Sequence, residues 1–225
     1  MMKITAVIPA RKENGELGNR NLLPLGDKNL LTNQIEILKK VKGLDEIIIS
    51  SDDDEILTIA EKDGVSIQKR PENLRQEDTK FSEIVTHICS EVQTELTMFT
   101  FLTTPFIKTE TYEKAIQLYK QKSQEGYDSL ITVCAFRGFL LDENGALNFR
   151  TGKYHKQTSM LPELYMFSNG LTIALTKKML EWQYYWGHLP YRMLIDKWES
   201  MMIKDVKDYK LAEIMMRYYR ETGEL

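Results

Sequence analysis

Short runs of β-branched and other apolar residues alternate along this chain with longer stretches in which apolar residues recur every three or four positions. The short runs predict strands, and the longer stretches predict amphipathic helices. The strands predicted over the first 134 residues are Lys3–Ile8, Glu46–Ile49, Val65–Gln68, Leu96–Leu102 and Ser129–Cys134. The helices predicted between them are Asn29–Lys40, Asp53–Lys62, Asp78–Glu91 and Thr109–Lys122.

This order of elements is typical of a doubly wound α/β domain, in which helices cover both faces of a mostly parallel sheet. We predict seven strands in that sheet. Ligands of such sheets bind beyond the carboxyl ends of the strands, so the loops that follow the strands are where chemistry is expected. The relevant loops are Arg11–Asn21, Ser50–Asp54 and Thr103–Lys108.

The pattern changes after Cys134. Leu140–Leu147 predicts a hairpin, because its Asn-Gly pair favours a type I′ turn. Residues 148–170 have no regular period, and Leu171–Leu175 predicts a further strand. Glu181–Trp198 contains all three tryptophans of the chain.

We interpret residues 136–198 as an arm that protrudes from the main domain. The main domain then comprises residues 1–135 and 199–225 and ends in a helix over Asp205–Glu221. Trp and Tyr are enriched in subunit interfaces, so the aromatic arm fits dimerisation. A local hydrophobic cluster explains the same residues equally well.

Composition narrows the class of protein. The chain has 225 residues, 42% of them hydrophobic and 28% charged, as in an ordinary globular protein. A net charge of -3 provides no basic field for nucleic acid or anionic lipid, and no apolar run approaches the roughly 20 residues of a membrane helix. Cys89 and Cys134 lack metal-site spacing and are predicted to be buried free thiols. The interpretation is a cytoplasmic protein that binds neither nucleic acid nor membrane.

The loop after the first strand carries the most informative charges. Arg11, Lys12 and Arg20 bring three cations and several backbone N–H groups to the mouth of the sheet. Such a loop suits a polyphosphate. Taken alone, it is equally consistent with a solvated charged surface.

A series of short motifs then runs in order along nearly the whole chain. The motifs are Ile8-Pro9-Ala10-Arg11-Lys12, Arg20-Asn21-Leu22, Ile49-Ser50-Ser51-Asp52-Asp53-Asp54-Glu55-Ile56, Arg70-Pro71-Glu72-Asn73-Leu74, Thr103-Thr104-Pro105-Phe106, Asn169-Gly170 and Leu211-Ala212-Glu213. No single motif is decisive, but together they resemble the acylneuraminate cytidylyltransferases, the family of CMP-sialic acid synthetase-like enzymes. The resemblance implies a nucleotide-diphospho-sugar transferase-like fold.

The resemblance also implies an activity and its partners. The family transfers CMP from CTP to the anomeric hydroxyl of a nonulosonic, sialic-like sugar acid and releases pyrophosphate, with Mg²⁺ as cofactor. CTP and a sugar acid are therefore the expected small-molecule partners. The arm is expected to form a homodimer, as in the family.

The site residues follow from the matching motif positions. The nucleotide-binding positions are Ala10, Arg11, Lys12, Arg20, Asn21, Arg70 and Asp78. The positions expected to meet the sugar acid are Thr103, Thr104, Gln157, Tyr165 and Asn169. Arg11 and Arg20 are also the expected catalytic groups, because nucleotidyl transfer depends on positioning and on neutralising phosphate charge.

The chain departs from the family pattern in the loop and at the sugar end of the site. Glu13 and Glu16 stand where relatives carry glycines, which brings carboxylates towards the place where phosphates approach. Phe101 stands where relatives carry a glutamine, which changes the expected recognition of the acid sugar.

The chain also departs at the expected metal site. Met202 and Lys204 stand where relatives carry the two aspartates that hold Mg²⁺, and neither a thioether nor an ammonium suits a hard cation. Lys204 is therefore a candidate catalytic cation beside the triphosphate. Asp205 and Asp208 are the nearest candidate metal ligands, although Asp205 is better suited to the N-cap of the last helix.

Three hypotheses about the function remain open from the sequence. The chain is an active nucleotidyltransferase with a changed metal arrangement, or a degenerate member that binds nucleotide or sugar without transfer. A different nucleotide-sugar enzyme on the same fold is a third hypothesis, because function depends on the site and not on the fold.

Overall fold

A computed structural model describes residues 2–12, 16–76 and 78–223. The strands are β1 (Ile4–Ala10), β2 (Pro24–Leu25), β3 (Lys28–Asn29), β4 (Glu46–Ser51), β5 (Ser66–Lys69), β6 (Leu96–Thr100), β7 (Ser129–Phe136), β8 (Leu141–Asp142), β9 (Gly145–Ala146), β10 (Leu164–Leu175) and β11 (Pro190–Leu194). The α-helices are α1 (Leu30–Lys40), α2 (Asp54–Lys62), α3 (Phe81–Glu91), α4 (Thr109–Gln124), α5 (Thr176–Trp182) and α6 (Val206–Thr222).

Seven strands form the central sheet in the order β11-β7-β10-β6-β1-β4-β5. Strand β10 is antiparallel to both of its neighbours, and the other pairs are parallel. The predicted doubly wound, mostly parallel seven-stranded sheet is therefore confirmed. Strands β2 with β3 and β8 with β9 form two small antiparallel hairpins outside it.

The strand period of two distributes the side chains of the sheet between two hydrophobic cores. Ile8 on β1 belongs to the core that includes helices α1 and α4, while its neighbour Val7 belongs to the core that includes helices α3 and α5. Met98 and Phe99 on β6 divide in the same way. Both cores are buried from water, which is why the central strand β1 is apolar at six of its seven positions, whereas the edge strand β5 is mostly polar and exposed.

Local sequence signals start the helices. The Asn29 side chain accepts a hydrogen bond from the Thr32 backbone N–H at 2.8 Å and caps α1. Asp53 accepts from the Glu55 backbone N–H at 2.9 Å and caps α2. These caps satisfy backbone donors that have no partner within the helix, so the helices begin where the capping residues stand.

The predicted inserted segment 136–198 requires a correction. Strands β10 and β11 both fall within it, yet both are strands of the central sheet. Helix α5 also falls within the segment, and its Met179 belongs to the core that includes α3. The elements of the segment that lie outside the central sheet and its helical layers are the β8–β9 hairpin and the two short 3-10 turns Gly152–Tyr154 and Thr158–Met160. The sequence period did not show this, because β10 pairs with strands that are far away along the chain.

Three further sequence expectations concern the cysteines, the membrane and the last helix. Cys89 and Cys134 are buried free thiols, as predicted, and burial raises the pKa of Cys89 to about 12. Within the described residues, no helix has the length and apolarity required to span a bilayer. Helix α6 buries Ala212 but leaves Leu211 and Ile214 exposed.

A buried chain of hydrogen bonds links the helical layer to the sheet. Gln34 Nε2 donates to the Tyr112 hydroxyl at 2.7 Å, and this hydroxyl lies 2.7 Å from Thr100 Oγ1. Thr100 Oγ1 in turn donates to the Gly170 carbonyl at 3.1 Å. The chain crosses from α1 through α4 to β6 and β10, so it fixes the antiparallel strand against the helices.

We predict that Tyr112→Phe lowers the free energy of unfolding by about 1–3 kcal/mol, because it leaves the buried Gln34 amide without its acceptor. Urea denaturation measures the change. The control is Tyr218→Phe, since Tyr218 is 49% exposed and the change should leave stability within about 0.5 kcal/mol of the parent protein. Equal stability of the two variants would show that the buried chain contributes nothing.

Candidate active site at the carboxyl edge of the sheet

Three neighbouring parallel strands end side by side and place charged residues at one edge of the sheet. Ala10 pairs with Ser51, and Ser51 pairs with Lys69, so Arg11, Asp52 and Arg70 follow directly after paired positions. The predicted use of this edge is consistent with the geometry, because the carboxyl ends of parallel strands meet there.

Arg70 is a buried cation held by its neighbouring strand. Its Nε donates to Ser50 Oγ at 3.1 Å, and its Nη2 donates to the Ser50 carbonyl at 2.8 Å. Burial lowers the pKa of Arg70 to about 10, with Asp52 opposing and Arg11 adding to the shift. The group is therefore protonated at neutral pH and has a fixed direction.

The first loop is anchored where it leaves β1 and where it ends. The Lys12 backbone N–H donates to Asp52 Oδ1 at 3.0 Å, and Asn21 Nδ2 donates to the Arg11 carbonyl at 2.6 Å. Asn21 is buried, whereas the Arg11 and Lys12 side chains are exposed at the edge. The structure thus combines a buried clamp with two cations that a ligand can reach.

The acidic residues near this loop have structural partners. Asp53 accepts from Asn19 Nδ2 at 2.8 Å through Oδ2, while its Oδ1 caps α2. Glu16 is exposed, and Glu13 lies outside the described residues. Asp53 therefore ties the loop to α2.

Arg20 lies against a second segment that crosses the same edge. Its Nη1 lies 3.3 Å from the carbonyl oxygens of both Ile203 and Lys204 and donates to them. The Ile203 backbone N–H donates to the Thr103 carbonyl at 2.8 Å, which fixes this segment on the loop after β6. Lys204 is exposed. Two of the three candidate catalytic residues, Arg20 and Lys204, are thus in contact through the Lys204 carbonyl.

We call residues 199–205 the crossing segment. At its start, buried Glu199 accepts hydrogen bonds from the Lys108 backbone N–H at 2.9 Å and from Thr111 Oγ1 at 2.6 Å. These donors belong to the first turn of α4 and the residue before it. The crossing segment is therefore held at Glu199, at Ile203 and at the start of α6.

Both candidate metal ligands accept hydrogen bonds at the start of α6. Asp205 Oδ1 accepts from the backbone N–H groups of Lys207 at 2.8 Å and Asp208 at 2.9 Å. Asp208 Oδ2 accepts from the Lys204 backbone N–H at 2.9 Å. The predicted N-cap role of Asp205 is confirmed. Among the described residues, no three His, Cys, Asp or Glu side chains form a group that could hold a metal ion.

The residues expected to meet the sugar acid differ in whether their side chains are available to a ligand. Thr103 is half-buried at the edge, but the buried Thr104 hydroxyl donates to the Phe101 carbonyl at 3.0 Å and thereby holds its own turn. Asn169 has a left-handed backbone, φ 50°, and its Oδ1 accepts from the Tyr185 hydroxyl at 3.1 Å. Tyr165 is exposed and pairs with Ala135 near the end of β7.

Of the remaining three predicted residues, two lie at exposed positions. Gln157 precedes the 3-10 turn Thr158–Met160, and Asp78 lies in the turn before α3. Ala10, the last predicted position, is the buried final residue of β1.

Phe101 is part of an aromatic cluster instead of a polar sugar contact. Its ring centroid lies 5.8 Å from that of Tyr185, and Phe81 lies 5.1 Å from Tyr185. The Tyr185 hydroxyl carries the bond to Asn169. An aromatic cluster packed against the core of α3 and α5 therefore occupies the position where the family resemblance implies a glutamine.

Sequence reasoning missed two residues that build the site. Ser50 holds Arg70 with both its hydroxyl and its carbonyl, and Glu199 holds the crossing segment. Ser50 lies within a motif that the sequence did identify, but no role was assigned to it. Only the folded structure, which brings Arg70 to Ser50 and the start of α4 to Glu199, shows what the two residues do.

Comparison with known proteins agrees with this geometry. A family model described as cytidylyltransferase matches residues 5–215, and the chain belongs to that family. The structure of CMP:2-keto-3-deoxy-manno-octonic acid synthetase complexed with CTP has a TM-score of 0.68 and 12% identity, and the match covers 97% of this chain and 99% of that one.

Two curated relatives are similar to this chain over most of its length. The N-acylneuraminate cytidylyltransferase of Escherichia coli O18:K1:H7 is 29% identical over 217 residues, which are 93% of this chain and 51% of the relative. This chain thus spans about half of that protein's length. The pseudaminic acid cytidylyltransferase of Campylobacter jejuni is 23% identical over 240 residues, with 99% of this chain and 100% of the relative covered.

We predict that Asn21→Ala weakens inorganic tripolyphosphate binding at least fivefold, because the amide clamp on Arg11 orients the loop cations. Isothermal calorimetry measures the affinity. The control is Asn33→Ala, which removes a similar bond of 2.7 Å to the Leu25 carbonyl. Both changes should cost about 1 kcal/mol of stability, but only Asn21→Ala should change anion affinity. Equal anion affinities would contradict the clamp.

Proposed function

We propose that this chain transfers CMP from CTP to the anomeric hydroxyl of a nonulosonic sugar acid and releases pyrophosphate. The observation that carries the proposal is the fixed Arg70 guanidinium beside the anchored Arg11 and Lys12, at the ligand edge of a cytidylyltransferase fold. The sugar acids named for the relatives support the choice of acceptor.

The transfer makes one bond and breaks one bond. The anomeric oxygen of the sugar attacks the α-phosphorus of CTP, the bond from this phosphorus to the β-phosphate oxygen breaks, and the hydroxyl proton passes to solvent. Negative charge grows on the departing pyrophosphate. Fixed cations that meet this charge lower the barrier, and positioning supplies the rest.

The described residues divide this work. Arg11, Lys12 and Arg20 bind the triphosphate, and Arg70 fixes the nucleoside end from its buried position. Lys204 adds positive charge where pyrophosphate leaves. These assignments agree with the exposure of Arg11, Lys12 and Lys204 and with the burial of Arg70.

The sugar acid lies on the β10 side of the edge in this proposal. Thr103 and Asn169 are near the end of β6, and Gln157 with Tyr165 extends the site towards the hairpin region. Thr104 supports its turn and is left out of the contact set. In this proposal the aromatic cluster of Phe101 and Tyr185 borders the acceptor, which favours a sugar acid that presents an apolar group there.

The alternative is a degenerate family member that still binds the nucleotide or the sugar but no longer transfers CMP. The comparisons do not favour it over the main proposal. A pyrophosphate-release assay separates the two, with CTP, UTP, ATP and GTP each offered together with a panel of nonulosonic acids and with the eight-carbon keto-deoxy acid. We expect release with CTP and a nonulosonic acid. Binding of CTP with no release from any acceptor would favour the degenerate alternative.

We predict that Arg11→Ala costs about 1.5–3 kcal/mol in CTP binding, the range for a lost hydrogen bond to a charged group. This corresponds to a dissociation constant that is roughly 10- to 150-fold larger, measured by calorimetry. The control is Arg217→Ala, an exposed position on α6 about 16 Å from the start of that helix. An unchanged affinity of Arg11→Ala would remove Arg11 from the site.

The proposal includes a homodimer formed through the hairpin region, residues 137–163. Four apolar side chains in it are at least 60% exposed, namely Leu141, Leu147, Tyr154 and Met160. A group of exposed apolar residues on this scale is typical of an interface. Cytoplasmic location completes the proposal, because CTP is a cytoplasmic metabolite.

We predict a dimer at tens of micromolar by light scattering, and a monomer for the double change Leu141→Lys with Leu147→Lys. Lysines in the interface would lose their hydration and repel their copies. The control is Leu211→Lys on α6, which is 54% exposed and should leave the dimer intact. A dimer that resists the double change but not the control would place the interface on α6 instead.

A further inference from the structure

The crossing segment presents cations at the place where the family resemblance implies a magnesium site. The two residues at the expected metal positions are Met202, half-buried, and Lys204, exposed. Arg20 Nη1 donates to the carbonyl oxygens of Ile203 and Lys204. These carbonyl oxygens are hard ligands, but a guanidinium already lies against them.

The nearby carboxylates are committed to backbone donors. Asp205 accepts two N–H groups and Asp208 accepts one, all in the turn that begins α6. The positive end of the helix dipole favours negative charge in this position. A divalent cation recruited here would have to compete with these hydrogen bonds and approach Arg20 and Lys204 against charge repulsion. The residues of this chain therefore do not fit a magnesium ion held by the protein.

We propose that this chain holds the triphosphate through Arg20 and Lys204 without a divalent cation of its own. A divalent cation then reaches the site only as a ligand of the nucleotide phosphates, and nucleotide binding does not require it. This inference rests on the proposed function, because it takes CTP as the ligand. It goes beyond that function in stating that the protein itself holds no divalent cation at the crossing segment.

Two measurements on the full chain test the proposal. Calorimetry compares CTP binding in EDTA and in excess Mg²⁺, and we expect dissociation constants within about threefold of each other. Electron paramagnetic resonance with Mn²⁺ alone, without nucleotide, should detect no ion bound to the protein at sub-millimolar concentrations. Binding of CTP more than tenfold weaker in EDTA, or a stoichiometric Mn²⁺ site, overturns the proposal.

Conservative variants separate capping from metal binding. Asparagine caps helices as well as aspartate does. Asp205→Asn and Asp208→Asn therefore keep the acceptors at the start of α6 while removing the negative charges that a metal needs. In both variants we expect no change in the thermal midpoint or in the ratio of the CTP dissociation constant in EDTA to that in Mg²⁺. A fall of that ratio, or a loss of Mn²⁺ binding, in either variant would identify a metal ligand.

A variant of the lysine supplies the positive result. Lys204→Met keeps the length of the side chain and removes its charge, and should weaken CTP binding in EDTA about tenfold. The matched control is Lys207→Met, one turn further into α6, which should change binding less than twofold. Equal effects at the two lysines would overturn the role of Lys204.

The outcomes also distinguish this inference from the proposed function. Failure of CTP to bind in either buffer would remove the proposed function and this inference with it. Binding that requires Mg²⁺ would leave the proposed function intact and overturn the inference alone.

Discussion

The fold depends on the position of β1 between β4 and β6, parallel to both. A parallel pair can be closed only by a crossover connection, and each crossover here carries a helix that covers one face of the sheet. The same constraint brings the carboxyl ends of β1, β4, β5 and β6 to one edge. The site is therefore a consequence of strand direction before any functional side chain is considered.

Carboxylates and cations have separate tasks at this edge. Five acidic side chains accept hydrogen bonds from loop or helix-start donors and so hold the backbone in place: Asp52, Asp53, Glu199, Asp205 and Asp208. The cations Arg11, Lys12 and Lys204 are exposed, and Arg70 is buried with a fixed direction. The carboxylates keep their negative charge but are turned towards backbone and loop donors, whereas the exposed cations face solvent at the same edge. A chain of net charge -3 can therefore still carry a local group of exposed cations.

The side of the site that we propose for the sugar acid is built on an antiparallel strand and not on the ends of parallel strands. Strand β10 is antiparallel, and the register irregularity between Phe167 and Thr172 contains the left-handed Asn169. The regular strand pairing is interrupted at this point. The aromatic group around Tyr185 lies beside it, where the family resemblance implies a glutamine. Different family members can accept different sugar acids if this side varies while the nucleotide side stays fixed by strand ends. Specificity for the acid is thus expected to lie on β10 and the loop after β6.

By itself, the sequence determined the order of the main strands and helices over the first 134 residues, the two-sided covering of the sheet and the cap at Asp205. Alternation, helical period and capping depend on residues within one or two turns of each other, so they can be found without a structure. The ordered motifs likewise predicted the family and the first loop. Only the tertiary structure decided that β10 and β11 enter the central sheet, that Ser50 fixes Arg70, and that Asp205 and Asp208 serve the helix start instead of a metal. These outcomes depend on hydrogen bonds and burial between segments far apart in the chain, and no local pattern specifies which distant partner a strand or a polar side chain will meet.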